Sequence, residues 1–249
     1  MSNTLLITSL TFGSLGSRRG VYTVKDLKEE LESSSQHEAD GDRRVVLGQV
    51  FSQAEIDSLH ALVPQITVDS DRVLEVLEAE NYKHVHKKNP RNGLISTIKS
   101  DDAGHHCYLL VPHGNDMVAD HVTGEHISGM VLVEAARQMS MAVIDSVFDD
   151  DKKRYQIISK MEVDFNTFIH PFETSLHMRF NEFVPKGEKC WIDCEIDFVQ
   201  AGEVKTTVKL AGTAATMDFA RKLEDISVTK YLKKLRSKNI TSQKVENVA

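Results

Sequence analysis

Cysteine, proline and tryptophan are all scarce in this chain of 249 residues, at three, five and one. Three thiols (Cys107, Cys190, Cys194) are few and odd in number for a chain long enough to bury its own core. That argues against a disulfide framework and for a reducing, cytoplasmic setting. So few prolines exclude a collagen-like or Pro-rich chain. No run of about 18 apolar residues occurs, so no membrane span is expected. The apolar run Leu5-Leu6-Ile7 follows no positive charge, so no secretory signal is expected either. Basic residues are outnumbered, 30 against 37 acidic, and the net charge of −7 speaks against a nucleic-acid partner. P-loop, Gly-x-Gly-x-x-Gly and Gly-x-Ser-x-Gly patterns are missing, which removes the common nucleotide and serine-hydrolase signatures. His84-x-His86, His105-His106-Cys107 and His121-x4-His126 lack the spacing of known zinc motifs, so no metal is expected.

What remains is ordinary globular usage, with 41 % hydrophobic and 27 % charged residues. The first 78 residues read as a small mixed or helical segment of unknown role, flexible in part. Val24 to Glu32 suits a short helix, Ser33 to Asp42 is polar without period, and Val45 to Val50 suits a short strand. Ser52 with Glu55 has capping-box spacing before Ile56, Leu59 and Val63. Asp71 to Glu80 suits another helix. From Tyr82 the pattern turns to strands: His84 to Lys88, Leu94 to Ile98, and Cys107 to Val111. After a long helical stretch, Met130 to Phe148, the period becomes two. Apolar residues alternate from Met161 to Phe165, Leu176 to Phe180, Cys190 to Phe198 and Val204 to Leu210, as in antiparallel strands with one wet face. Hairpin turns are expected at Pro185–Glu188 and Gln200–Glu203. Cys190 and Cys194 fall on the apolar side of their strand and read as core thiols. One apolar helix among six or seven antiparallel strands predicts an α+β fold with the sheet wrapped around the helix. Residues 79–217 form that domain, and 218–249 are a charged tail. Between Arg221 and Lys238 it carries seven Lys or Arg against two acids, and it reads as a solvated terminal helix.

The chemistry concentrates between Asp120 and Gln138. In the apolar helix, Glu134, Arg137 and Gln138 stand at i, i+3 and i+4 and share one face. Burying a carboxylate and a guanidinium is costly unless they are paired or used. Ser128 suits an N-cap, and Gly129 allows a close approach there. The first-turn amides, of Gly129 and Met130, are placed to hold a carbonyl oxygen. His121 lies thirteen residues before Glu134, in a loop with Gly124, and is a candidate acid/base partner.

These residues resemble two hotdog families. His121-x-x-Gly124, a Gly opening an apolar helix, and Glu134 and Gln138 within it are similar to hotdog acyl-carrier-protein dehydratases. The spacing from His to Glu is one residue shorter here, and Thr123 and Ser128 stand where that family has prolines. The closer resemblance is to the A-factor (γ-butyrolactone) biosynthesis hotdog family. Its Asp-His, Gly and Gly-Met-Val-Leu-x-Glu-Ala-Ala-Arg-Gln pattern runs without a gap from Asp120 to Gln138. Lys88-Asn89-Pro90-Arg91-Asn92 and Phe165 to Pro171 echo two further segments of that family.

The resemblance implies a hotdog fold with a single repeat, where family members usually carry two. A homodimer would supply the second half. It implies an acyltransferase that moves a β-ketoacyl group from acyl carrier protein or CoA to a hydroxyl of a small phosphorylated acceptor such as dihydroxyacetone phosphate. The product leads to butyrolactone or butenolide signals or secondary metabolites. No cofactor is implied beyond the phosphopantetheine that carries the substrate. Carried over by position, Glu134, Arg137 and His121 are the catalytic candidates. Gly129, Met130, Gln138, Asp120, Arg91 and Lys88 are the substrate-binding ones. Lys87, Lys88 and Arg91 suit the phosphopantetheine phosphate or an acidic carrier surface. A dehydratase or thioesterase on acyl thioesters, and a non-catalytic acyl- or lactone-binding protein, are the alternatives.

Overall fold

The computed structural model describes residues 4–9, 12–16, 18, 20–34, 44–49, 51–62, 85, 87–112, 115, 125–148 and 152–246. The long apolar stretch forms helix α4 (Gly129–Val147), which follows α1 (Gly13–Gly16), α2 (Val24–Ser34) and α3 (Gln53–Leu62) in chain order. Its faces are dominated by Val131, Leu132, Ala135, Ala136, Met139, Val143 and Ile144, all buried. Each large aliphatic among them is worth about 1.5–3 kcal/mol of burial. That stripe lies on the inner face of a six-stranded antiparallel sheet in the order β4-β5-β7-β8-β9-β6. The strands are β4 (Lys99–Asp101), β5 (Gly104–Tyr108), β6 (Arg154–Phe165), β7 (Ser175–Lys186), β8 (Lys189–Gln200) and β9 (Glu203–Thr216). The period-two expectation is met: Cys190, Ile192, Cys194, Ile196 and Phe198 are fully buried beneath the helix. This is the α+β hotdog arrangement, one helix held by one curved sheet.

Both expected hairpins form. Ala201 and Gly202 take φ of 54° and 80°, and Gly187 takes 62°, the left-handed values that two-residue turns require. On β6 the register slips between Ile158 and Lys160, a bulge that moves the inward side chains from the even to the odd positions. Beyond it Met161 and Phe165 stay 40 % and 56 % exposed, because β6 is an edge strand. The segment Leu94 to Ile98, read as a strand, makes only one isolated bridge, Ile95 to Leu109. Its neighbouring backbone N–H, that of Leu94, is taken by the Gln138 side chain instead. The terminal helix α5 (Met217–Glu246) leaves the end of β9, and residues 221–235 are exposed along its length.

The N-terminal residues contain a feature that their sequence did not suggest, a three-stranded parallel sheet in the order β2-β1-β3. It comprises β1 (Thr4–Thr8), β2 (Val21–Thr23) and β3 (Arg44–Leu47), with helices α1 (Gly13–Gly16), α2 (Val24–Ser34) and α3 (Gln53–Leu62). The capping box at the start of α3 is present. Glu55 accepts from the Ser52 backbone N–H at 2.9 Å and from its hydroxyl at 2.7 Å. Leu5, Ile7, Leu27 and Leu59 form a small core of their own.

This unit is joined to the hotdog sheet at its strand ends. Gly48 bridges Phe172, and a Cβ there would stand 2.7 Å from the Pro171 carbonyl, so the close approach requires glycine. The buried Gln49 side chain donates to the Leu109 carbonyl at 2.8 Å and accepts from the Val111 N–H at 2.9 Å. Phe12 and Leu15 enter the main core. Among the described residues, no helix is long and apolar enough to cross a membrane.

Candidate functional site

The sequence places Glu134, Arg137 and Gln138 on one helical face, and the structure joins them into a single cluster. Arg137 grips the Glu134 carboxylate with two bonds, Nε to Oε2 and Nη2 to Oε1, both 2.7 Å. Lys87 reaches the same Oε1 from the segment before the Pro90–Asn92 turn, at 2.6 Å. Gln138 Nε2 adds a fourth contact at 3.0 Å. The side chains of Glu134, Lys87 and Arg137 are 14 %, 24 % and 29 % exposed, so the cluster is sheltered but open to a ligand.

Burial pushes the Glu134 carboxyl up, but the hydrogen bonds from Arg137, Lys87 and Gln138 outweigh it and hold the group at about 2. The Arg137 guanidinium is shifted further up, chiefly by its bond to Glu134. Two cations therefore surround one permanently ionised carboxylate. The net positive balance suits an anionic group or a developing oxyanion.

Gln138 has another task. Its fully buried amide accepts from the Leu94 N–H at 2.8 Å and donates to the Asn92 carbonyl at 2.7 Å. It fixes the 92–94 backbone against the helix and thereby sets the approach of Lys87. It is a positioning residue rather than a free substrate contact.

Of the three basic residues before β4, Lys87 enters the cluster, while Lys88 and Arg91 are exposed on the surface. The Arg91 carbonyl is held by the Asn115 amide at 2.5 Å. The resemblance named Lys88 rather than Lys87 as a substrate-binding candidate; the pairing of Lys87 with Glu134 spans a loop with no periodic signal. Asp120 and His121 lie outside the described residues.

At the mouth of α4, Ser128 occupies the N-cap position without a side-chain capping bond. Its carbonyl accepts from the Val131 N–H at 3.0 Å. The close approach expected at Gly129 is made by Phe165, whose ring would stand 2.9 Å from a Cβ there. Met130 is 61 % exposed beside it. His126 packs on the Phe168 ring with centroids 4.8 Å apart. Arg18 from the N-terminal unit binds Glu125 at 2.7 Å and so ties that unit to the entry of the helix.

The thiols are remote from this chemistry. Cys194 lies in the core under Ser140, and burial pushes its thiol up to about 11. Among the described residues, no group of three or more His, Cys, Asp or Glu stands together as a metal site.

Comparison with known proteins yields a match to the A-factor biosynthesis hotdog domain over residues 68–227. No curated protein matches the chain. Solved structures with similar architecture include a thioesterase from Haemophilus influenzae, at 10 % identity and TM-score 0.42, covering 56 % of this chain and 91 % of that one. A mutant thioesterase from Pseudomonas aeruginosa aligns at 12 % identity and TM-score 0.40, over 56 % and 94 % of the two chains. A Bacillus halodurans protein solved with CoA aligns at 7 % identity and TM-score 0.38, over 59 % and 91 %. The family match takes in the six-stranded sheet, the central helix and the whole Glu134 cluster, more than half of the sequence, and the chain belongs to the A-factor biosynthesis hotdog domain family.

Proposed function

We propose that this chain is an acyltransferase acting on acyl thioesters. It moves a β-ketoacyl group from acyl carrier protein or CoA to a hydroxyl of a small phosphorylated acceptor such as dihydroxyacetone phosphate, in butyrolactone- or butenolide-type biosynthesis. The observation that carries this reading is the Glu134 carboxylate held between Arg137 and Lys87. A phosphorylated acceptor brings an anion that competes with Glu134 for these two cations. As they turn toward the phosphate, Glu134 loses donors and its basicity rises from about 2 toward the ordinary carboxylate value of 4.5.

The freed carboxylate then accepts the acceptor's hydroxyl proton. The alkoxide oxygen attacks the thioester carbonyl, the carbon–sulfur bond breaks, and the proton passes to the departing thiolate. The helix N-terminus at Gly129 and Met130 offers amides to the carbonyl oxygen. Asp120 and His121 remain candidates by resemblance. No resident cofactor is required, since the substrate brings its own phosphopantetheine.

The single repeat suggests a homodimer. Edge strand β6, with Met161 and Phe165 exposed, offers the surface on which a second copy adds its own β6. The test of function is thiol release from a β-ketoacyl thioester with and without dihydroxyacetone phosphate. Release only with the acceptor supports transfer, and release without it supports hydrolysis. Absence of release in both supports a non-catalytic ligand-binding protein, a reading favoured by the saturation of Glu134 with four hydrogen bonds.

A further inference from the structure

Helix α5 leaves the body of the protein after its first turn. The Met217 N–H donates to the Lys153 carbonyl at 3.2 Å, and Ala220 is the last buried residue. From Arg221 to Leu235 every residue is exposed, so no described element of the chain covers this stretch. The helix as a whole carries eight Lys or Arg against four acids, in a chain whose totals are 30 and 37. It is a basic rod on an acidic protein.

Its charges are sorted by face. At about 100° per residue, Lys222, Lys230, Lys233 and Lys234 fall within an arc of about 120°. Leu223 and Ile226 lie exposed in the same arc, while Asp218, Glu224 and Asp225 all lie outside it. At the root, the Lys189 ammonium stands 6.0 Å from the centre of the Phe219 ring, and Lys186 pairs with Lys189 across the β7–β8 hairpin. The lysine face thus continues onto the end of the sheet. Lys230, Lys233 and Lys234 lie beyond residue 227, where the match to the hotdog domain ends, so this face is an addition to that domain.

The pattern indicates the kind of partner. A helix that lies in a lipid surface gathers its apolar residues on one side. Helix α5 divides them, with Leu223 and Ile226 among the lysines and Val228, Tyr231, Leu232 and Leu235 nearly opposite. A nucleic acid carries its charge far beyond one helix and meets repulsion from the acidic remainder of the chain. An acidic protein fits: its carboxylates meet the lysines, and the apolar part of its contact covers Leu223 and Ile226. The lysine face runs about 22 Å from Phe219 to Lys234, whereas CoA gathers its phosphates in one nucleotide. The root of the helix also adjoins the candidate site. Ala215 pairs with Tyr155 of β6, and Tyr155 bears electrostatically on Arg137. We infer that the lysine face of α5 docks an acidic carrier protein, and that the acyl thioester arrives on that protein rather than on CoA. The inference rests on the acyl-thioester reading proposed above, and it adds the carrier and the surface that selects it.

Calorimetric titration of the full chain with an acidic holo-acyl carrier protein tests it, beside titrations with octanoyl-CoA, phosphatidylglycerol vesicles and duplex DNA. The parent is expected to bind the carrier protein, and less tightly as salt rises. Reversing three charges together, Lys230→Glu with Lys233→Glu and Lys234→Glu, is expected to weaken carrier binding roughly tenfold or more. Octanoyl-CoA is expected to bind this variant as it binds the parent. Arginine at the same three positions is expected to restore carrier binding, and circular dichroism establishes that both variants keep the helix. A charge-reversed variant that binds the carrier like the parent overturns the inference, as does a parent that binds vesicles, DNA or none of these but not the carrier. Lysine-dependent carrier binding in a protein that releases no thiol keeps the docking face and rejects the transfer reading. Transfer that runs equally from the carrier protein and from CoA, indifferent to the three substitutions, does the reverse.

Discussion

Arg137 holds both carboxylate oxygens of Glu134, three residues earlier on the same helix, with two bonds of 2.7 Å. The pair is bidentate, sheltered and shared with Lys87, so it is far from the solvated i,i+3 pair that usually contributes a few tenths of a kcal/mol. Glu134→Gln leaves two cations facing one another with no counter-charge. We expect a loss of about 2 kcal/mol in unfolding free energy, less than for a fully buried pair. We also expect a fall in thiol release of roughly hundredfold or more, as for loss of a general base. Arg137→Ala should remove activity as well. Turnover retained in both variants would sink the catalytic role of the pair.

The same carboxylate makes stability depend on pH in a defined window. Glu134 titrates at about 2 in the folded protein against an ordinary 4.5. Between those values the unfolded chain binds more protons, so the stabilisation is complete above pH 4.5 and disappears as pH falls through 2. Its full size is on the order of 3 kcal/mol. The stability difference between the parent and Glu134→Gln should shrink by about 2 kcal/mol between pH 7 and pH 3, and so nearly vanish, by urea denaturation. A difference that stays constant over that range contradicts the role assigned to these donors.

Gln49 fastens the parallel sheet to the hotdog domain through two buried backbone groups. Gln49→Leu leaves the Leu109 carbonyl and the Val111 N–H without this partner, at about 2–4 kcal/mol together. Denaturation of the parent should give one transition, and the variant should melt lower. A variant as stable as the parent would show that water replaces both bonds.

Edge strand β6 gives a prediction on assembly. Light scattering should report a dimer for the parent, and Met161→Lys should yield a monomer by placing a charge on the exposed edge. A monomeric parent, or a dimer indifferent to Met161→Lys, rejects β6 as the contact.

The thiols offer an independent check on packing. Cys107, Cys190 and Cys194 are all buried, and Cys194 titrates at about 11. None should react with a thiol reagent at neutral pH in the folded state, and all three should react in denaturant. Fast labelling of the native protein would contradict the core described for β5 and β8.

The parts of the fold legible in the sequence were those with a period. Cys190 to Phe198 and Val204 to Leu210 alternate because one face of each strand meets α4 and the other meets water. The helix was legible from its apolar run, and Glu134 and Arg137 stood out as charges within it. The parallel sheet was not legible. β1 and β2 are short strands of three to five residues, and Ile7 and Thr8 are both buried, so they carry no alternation. Lys88 was preferred to Lys87 in the sequence for another reason. The partner of Lys87 is chosen by the loop that Gln138 clamps, and that clamp exists only in three dimensions. Leu94 to Ile98 read as a strand because Leu94 and Ile95 are buried in the main core, although the segment makes only the single bridge of Ile95 to Leu109.

The Gln49 clamp also bears on how the protein is made. Its two partners, Leu109 and Val111, are added to the growing chain 60 and 62 residues after it. Pro171, which receives the Gln49 backbone N–H at 2.9 Å, follows later still. The parallel sheet is thus completed by residues that are synthesised after it. Gln49 stays hydrated until those residues arrive, so this segment locks only after the chain has grown through Pro171.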